Sequence, residues 1–310
     1  MPPRLFYCDH YTIPLPAGHK FPSTKYRLLR EMLEVDGVYR LEPAQPASRE
    51  AVEAAHDPVY VGGFLAGTLA PAIMRRVGFP WSPDLVHRTL ASLGGTLGAA
   101  EDALRTGFGG NLAGGTHHAF RAEGSGFCVF NDLAVAIQGL RRAGRIRRAA
   151  VVDLDVHQGD GTASIFRGDH DVLTLSIHGR NNFPFRKQQS DIDIDLPDGT
   201  SDEQYLAALK TVLPRVVEFG PEIVFYQSGV DALAGDRLGR LALTIDGLKH
   251  RDRLVFEMCC RYELPVVITL GGGYAEPVTH TVEAHANTFR MAAEILMGAS
   301  AGSYSCVDGR

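Results

Sequence analysis

The stretch Asp153-Leu-Asp-Val-His157-Gln-Gly-Asp160 places two carboxylates and an imidazole at alternate positions directly after the apolar run Ala149–Val152. Successive side chains on a strand point to opposite faces, so Asp153, Asp155 and His157 are expected to share one face. That face lies at the carboxyl end of a buried parallel strand, where open α/β sheets gather their ligands. Oxygen and nitrogen donors grouped in this way suit a divalent metal and its supporting carboxylate. Gly159 and Gly161 read as letting the chain turn sharply around Asp160. A second apolar run, Glu222–Gln227, leads through Ser228-Gly-Val to Asp231. Asp231 would complete an Asp, His, Asp set around zinc and leave a coordination position open for water, as catalytic sites require.

His117-His118 follows the glycine-rich connection Gly107–Gly115. Both imidazoles could ligate, but three better placed ligands already exist, so general acid/base work is the stronger reading. An imidazole titrates near neutral pH, and a carboxylate partner fixes its tautomer. Asp153 and Asp160 are the spare carboxylates in that neighbourhood. Leu270-Gly-Gly-Gly-Tyr274 ends a third apolar run with a phenol that could donate to an oxyanion. Gly126-Phe127-Cys-Val-Phe130 and Asn182-Phe183-Pro-Phe185 put aromatic rings beside these groups, where two facing rings could wall a narrow apolar channel.

These groups need a scaffold that brings distant parts of the chain together. Strands are predicted over Leu5–Cys8, Val38–Leu41, Ala149–Asp153, Asp171–Ile177, Ile192–Leu196, Glu222–Gln227 and Val266–Leu270. Helices are predicted from Ser23 to Glu34, from Ser48 to Leu69 with a break at Asp57-Pro58, and from Asp84 to Arg105. Others run from an Asn131 cap to Arg142, from a Ser201 capping box to Glu218, over Asp246–Tyr262 and over Glu276–Leu296. Asp9–Phe21 reads as a long loop near the site, and Pro71–Pro83 as a second loop with Trp81 as a packing anchor. The alternation argues for a single-domain α/β fold, a mostly parallel multi-stranded sheet with helices on both faces. Residues 1–297 form the expected domain and 298–310 a frayed, flexible tail.

A chain of 310 residues with 45% hydrophobic and 22% charged residues is that of a folded soluble protein. The net charge of -5 gives no electrostatic reason to bind nucleic acid or anionic membrane, and the locally basic Arg141–Arg148 reads as a solvated turn. Five cysteines without a C-x-x-C spacing fit reduced thiols in the cytoplasm. The amino-terminal Met-Pro-Pro-Arg lacks the apolar core of a signal peptide, and no run approaches a membrane span. Nothing in the sequence indicates an oligomeric state.

Taken in order, Gly-Gly-Thr-His117-His118-Ala, Gly126-Phe-Cys, Asp153-Leu-Asp-Val-His157-Gln-Gly-Asp-Gly161, Gly229-Val-Asp231 and Gly271-Gly-Gly-Tyr274 resemble the motifs of zinc-dependent histone deacetylases of the arginase/deacetylase superfamily. Gly235-Asp-Arg-Leu-Gly239 and Lys249-His-Arg-Asp-Arg-Leu-Val-Phe256, with Gln158, resemble the class IV branch and its bacterial relatives. The resemblance implies one Zn(2+) per chain at Asp155, His157 and Asp231, and His-Asp dyads His117 with Asp153 and His118 with Asp160. It implies that Tyr274 hydrogen-bonds the scissile carbonyl, that Phe127 and Phe183 line an acyl-lysine tunnel, and that the Gly126 carbonyl meets the substrate amide. A monovalent ion such as K(+) would touch Asp153, Asp155, His157 and Ser176. The expected substrate is an acyl-lysine protein or peptide, with an acetylpolyamine or other acylated small amine as the alternative and an acyl-lysine binding protein as the non-enzymatic one. Two positions depart from the family pattern. Gln158 stands where many relatives carry a second His, and Thr116 replaces a bulkier residue before His-His.

Overall fold

The computed structural model describes residues 2–298. Strand β1 (Arg4–Tyr7) leads through the Asp9–Phe21 loop to helix α1 (Thr24–Asp36) and strand β2 (Arg40–Pro43). The predicted helix from Ser48 is two helices, α2 (Arg49–Val52) and α3 (Pro58–Ala66). Asp57 caps α3 by accepting from Val59 and Tyr60, and Pro58 occupies the first helical position, where its missing N–H costs nothing. Pro71–Pro83 is not a continuous loop: Pro71 starts helix α4 (Pro71–Val77) in the same manner. Ser82 then caps the long α5 (Pro83–Thr106).

The glycine-rich connection holds an unforeseen strand, β3 (Phe108–Asn111). Asn131 caps α6 (Asp132–Arg142) as expected, and β4 (Ala149–Asp153) leads to a short helix, α7 (Asp160–Ile165). After β5 (Val172–Gly179) and β6 (Ile192–Leu196), the capping box of Ser201 and Gln204 opens α8 (Asp202–Phe219). The chain closes with β7 (Ile223–Gln227), α9 (Ile245–Arg261), β8 (Val266–Thr269) and α10 (Val278–Ala292), which ends in a π-helical turn at Ala293–Met297.

The eight strands form one sheet in the order β2-β1-β3-β8-β7-β4-β5-β6, and every pairing is parallel. Every residue of β3, β4, β5, β7 and β8 is buried. Since neighbouring side chains on a strand face opposite ways, both sheet faces are covered. The central strands β3, β8, β7 and β4 are adjacent although they come from widely separated parts of the chain, so their carboxyl ends open into one place. The basic run Arg141–Arg148 is the end of α6 and a turn in which Arg141 pairs with Asp169, Arg145 with Glu101 and Arg147 with Asp171, while Arg142 donates to the Ala54 carbonyl and Arg148 lies over the Phe219 ring. Cys8, Cys128 and Cys259 are buried without a disulfide. Cys306 and nearly all of the expected tail at 298–310 lie outside the described residues.

Candidate active site

β4 ends at Asp153, so Asp155 and His157 lie on the loop beyond it, not on the strand. The loop still brings them together with Asp231, which follows β7. His157 Nδ1 is 3.0 Å from Asp155 Oδ1 and 3.1 Å from Asp231 Oδ2, and all three side chains are buried. Backbone N–H groups fix the other oxygens: Gly272, after β8, donates to Asp155 Oδ2 at 2.6 Å, and Val156 donates to Asp231 Oδ1 at 2.9 Å. Asp231 Oδ2 receives no backbone hydrogen bond despite complete burial, and only the potential ligand nitrogen of His157 lies beside it. A buried carboxylate oxygen without a donor costs free energy unless a cation meets it. Two oxygens and one nitrogen converging on such a point fit a divalent metal ion.

Asp153 turns from this cluster to His117, whose Nδ1 lies 2.7 Å from Asp153 Oδ2. His118 Nδ1 lies 2.7 Å from Asp160 Oδ1, and the two imidazole rings lie side by side with centroids 4.0 Å apart and planes tilted by 45°. Their electrostatics diverge. Burial works against charge on His117, but the carboxylates of Asp153 and Asp155 outweigh it and raise its pKa to about 9. Burial, together with the charge of His117, lowers His118 to about 4 against the pull of Asp160. Burial also opposes charge on His157, yet Asp231 and Asp155 raise it to about 10.

Gly159 makes the tight turn that the sequence suggested, with φ -72° and ψ 65° and the Asp160 N–H donating to the Gln158 carbonyl at 2.8 Å, whereas Gly161 lies inside α7. Both also provide room. A Cβ on Gly159 would sit 2.3 Å from Asp153 Oδ2, and one on Gly161 would sit 2.4 Å from the carbonyl oxygen of Ala119, directly behind the histidine pair.

One cavity of about 1050 Å³ contains Asp155, His157, His117, His118, Gly126, Phe127, Phe183 and Tyr274 among its lining residues. Phe183 meets His118 edge-on at 4.8 Å, and Phe127 lies 6.3 Å from the Tyr274 ring. Phe127 takes a positive φ, a conformation that bulky residues rarely adopt, and His19, Phe21 and Phe79 surround its ring. Phe130 and Phe185 also border the cavity, Phe130 from the core and Phe185 from the exposed rim. Burial, with Asp231 and Asp155 nearby, holds the Tyr274 phenol well above its ordinary pKa, so it stays a donor. Ser176 sits opposite Asp153 in the β4–β5 register, with its Oγ 3.0 Å from His178 Nδ1. His178 is thus a buried structural partner, while His19 reaches the cavity wall.

A family model described as histone deacetylase domain matches residues 19–289. The chain belongs to the histone deacetylase family. An uncharacterized protein of Picosynechococcus sp. is 45% identical over 93% of this chain and 98% of its own length. Histone deacetylase 2 of Arabidopsis thaliana is 30% identical over 83% of this chain and 70% of its own, and a histone deacetylase-like amidohydrolase of Pseudomonas aeruginosa is 31% identical over 85% and 74%. The solved HD domain of HDA15 superposes with a TM-score of 0.76 at 22% identity, over 96% of this chain and 92% of that one, a likeness of fold. As a histone deacetylase-family hydrolase, the protein has the single-domain parallel sheet that its sequence implied. No helix among the described residues is long and apolar enough to cross a membrane.

In this family member, Gln158 spans to the loop before β6, donating to the Gln188 carbonyl and to Asp193, both at 2.8 Å. Thr116 uses its small side chain to donate to Asp132, which also accepts from Thr96 and from the Gly115 N–H. Several supporting charges carried no signal of their own in the sequence. Arg251 is completely buried against Asp252 and donates to the carbonyls of Leu154 and Gly229, each close in sequence to a candidate ligand. Lys25 donates to the Gly271 carbonyl at 3.0 Å, and Asp236 accepts the Tyr274 N–H at 2.6 Å. Arg251 and Asp236 fall in segments that carried the family resemblance, which was the only hint of their importance.

Proposed function

We propose that this protein is a zinc-dependent lysine deacylase that hydrolyses the amide between an acyl group and the ε-amine of a lysine in a protein or peptide. The observation that carries the reading is the pair of adjacent imidazoles, each tied to its own buried carboxylate, beside a buried Asp155, His157, Asp231 cluster. Zinc held by those three residues supplies Lewis acidity, which brings the pKa of water to about 7 and polarises a carbonyl. The same reading assigns Asp153, Asp155, His157 and Ser176 to a monovalent cation such as K(+).

His118 acts as the general base. It is neutral at pH 7, and because Asp160 holds its Nδ1–H, Nε2 faces the cavity free to accept a proton. His117, with Nδ1 on Asp153, hydrogen-bonds the attacking water and then the tetrahedral species. The Tyr274 phenol donates to the developing oxyanion. The water oxygen bonds to the acyl carbon, the C–N bond breaks, and both protons of the water end on the departing nitrogen, leaving a carboxylate and a lysine ammonium. Phe127 and Phe183 flank the apolar lysine stem, and the Gly126 carbonyl accepts the substrate amide N–H.

Lys20, Arg76, Arg237 and Arg240 line the cavity, the three arginines paired with Glu123, Glu276 and Asp198, and the sole carboxylate lining it among the described residues, Asp155, is committed to the buried cluster, so no free carboxylate is offered to a second ammonium. Such a lining disfavours a polycationic amine, which supports acyl-lysine over acetylpolyamine. The test is turnover by zinc-loaded protein of acetyl-, octanoyl- and myristoyl-lysine peptides and of acetylspermidine. Hydrolysis of lysine peptides in preference to acetylspermidine is expected. The reverse preference would shift the substrate to polyamines, and binding without hydrolysis of any would make the protein an acyl-lysine binder.

A further inference from the structure

The cavity does not stop at the histidine pair. Ala113, Gly114, Gly115 and Thr116 line it without a side chain larger than threonine, and it continues inward to Leu85, Arg88 and Ser92 of α5. Arg88 is only 7% exposed, and no carboxylate among the described residues lies within ion-pair distance of it. Its guanidinium donates to the Cys8 thiol and lies 4.4 Å from the centre of the Tyr26 ring. Burial pushes both partners toward their neutral forms, Tyr26 to about 12, so neither offsets the charge. Lys25 adds a second buried cation 5.3 Å from the same ring. A buried guanidinium facing a cavity without a counter-charge is costly, and a bidentate carboxylate is the ligand that best matches its fork of donors.

We propose that Arg88 forms an acyl-carboxylate subsite at the inner end of the cavity, so that the preferred acyl groups are short dicarboxylic ones, such as succinyl, glutaryl or adipyl, whose far carboxylate meets the guanidinium. The connection to the site is short. The Gly114 N–H donates to Ser92 Oγ at 3.1 Å, Ser92 lies one helical turn beyond Arg88, and Gly114 is three residues before His117. The acyl carbonyl sits at the metal cluster, the methylenes pass along the small residues from Ala113 to Thr116, and the terminal carboxylate replaces the missing counter-ion. This rests on the lysine deacylase reading and specifies its substrate.

The experiment measures kcat/KM on one peptide carrying acetyl-, pentanoyl- or glutaryl-lysine, for the wild type, Arg88→Gln and Arg88→Lys. Pentanoyl matches glutaryl in length and lacks the charge, so the glutaryl-to-pentanoyl ratio within each variant cancels any loss of folded protein. A wild-type ratio of about ten to a hundred is expected from a charge-assisted, desolvated pair. Arg88→Gln is expected to bring it below one, with Arg88→Lys in between. A wild-type ratio of one or less, with acetyl- and pentanoyl-lysine still hydrolysed, overturns the subsite and leaves the deacylase reading intact. A high ratio that survives in Arg88→Gln also overturns it. If no peptide is hydrolysed, the deacylase reading itself fails. Inhibition of the wild type but not Arg88→Gln by free propionate, without a glutaryl preference, assigns Arg88 to the released acid and overturns the proposal.

Discussion

His56 should act as an acid trigger for unfolding. The ring is wholly buried, its Nδ1 donates to the Phe120 carbonyl at 3.0 Å, and its Nε2 accepts the Asn131 N–H at 2.8 Å. It therefore joins the segment just after His118 to the residue that caps α6. Protonation would place a second N–H against the Asn131 donor, and burial accordingly lowers its pKa from 6.5 to about 4. Between those values the unfolded chain binds a proton that the folded one refuses, so stability rises with pH in that window and is lost as pH falls from 6.5 toward 4. At about 1.36 kcal/mol per pH unit, the difference of 6.5 − 4 = 2.5 costs about 3 kcal/mol, of which about 1.4 kcal/mol is gone by pH 5.5. Urea denaturation of metal-free protein from pH 7.5 to 4.5 would measure it. His118 and His178, also near 4, add slope of the same sign. The His56→Gln variant isolates the one contribution, because its stability should fall less steeply with acid by about that amount. Parallel profiles for variant and wild type would refute the reasoning.

Tyr274→Phe should lower turnover by about a hundred- to a thousand-fold with zinc content unchanged on metal analysis, as for loss of one oxyanion donor; undiminished turnover would remove Tyr274 from its role. Loading the metal-free protein with zinc at pH 7.5 should release about one proton, because His157, near 10 between its two carboxylates, must give up its Nδ1 proton to ligate. Titration calorimetry in two buffers of different ionisation enthalpy reads this, and identical heats would contradict it. Arg251→Met should cost about 3–5 kcal/mol in urea denaturation, because it leaves Asp252 buried without its cation and frees the Leu154 and Gly229 carbonyls. A loss below about 1 kcal/mol would show that the pair is dispensable.

The sequence disclosed those features whose chemistry is local. The apolar runs of β4, β7 and β8 are legible because strands covered on both faces need continuous hydrophobics. The Asp57-Pro58 break and the Ser201 capping box depend on neighbouring residues alone. β3 was illegible because close packing required glycine where a strand former would have announced it: a Cβ on Gly109 would lie 1.9 Å from the Ala99 carbonyl oxygen of α5. α4 was misread because a proline at the first helical position looks like a breaker. His117, Asp160 and Asp231 were legible as chemical groups, whereas their pairing depends on tertiary approach. Lys25, Arg88 and Arg251 drew no reading of their own as buried charges, since no sequence period marks a single charge that the fold carries inside.

The clasp of Gly272 on Asp155 spans 117 positions, and that of Val156 on Asp231 spans 75. A polypeptide emerging from the ribosome with β4 already exposed therefore carries an unfinished pocket until Gly272 has been synthesised. During that interval the Asp155 carboxylate lacks its closing amide from Gly272, because β8 has still to insert between β3 and β7. Such late completion predicts that assembly is limited by insertion of that one central strand.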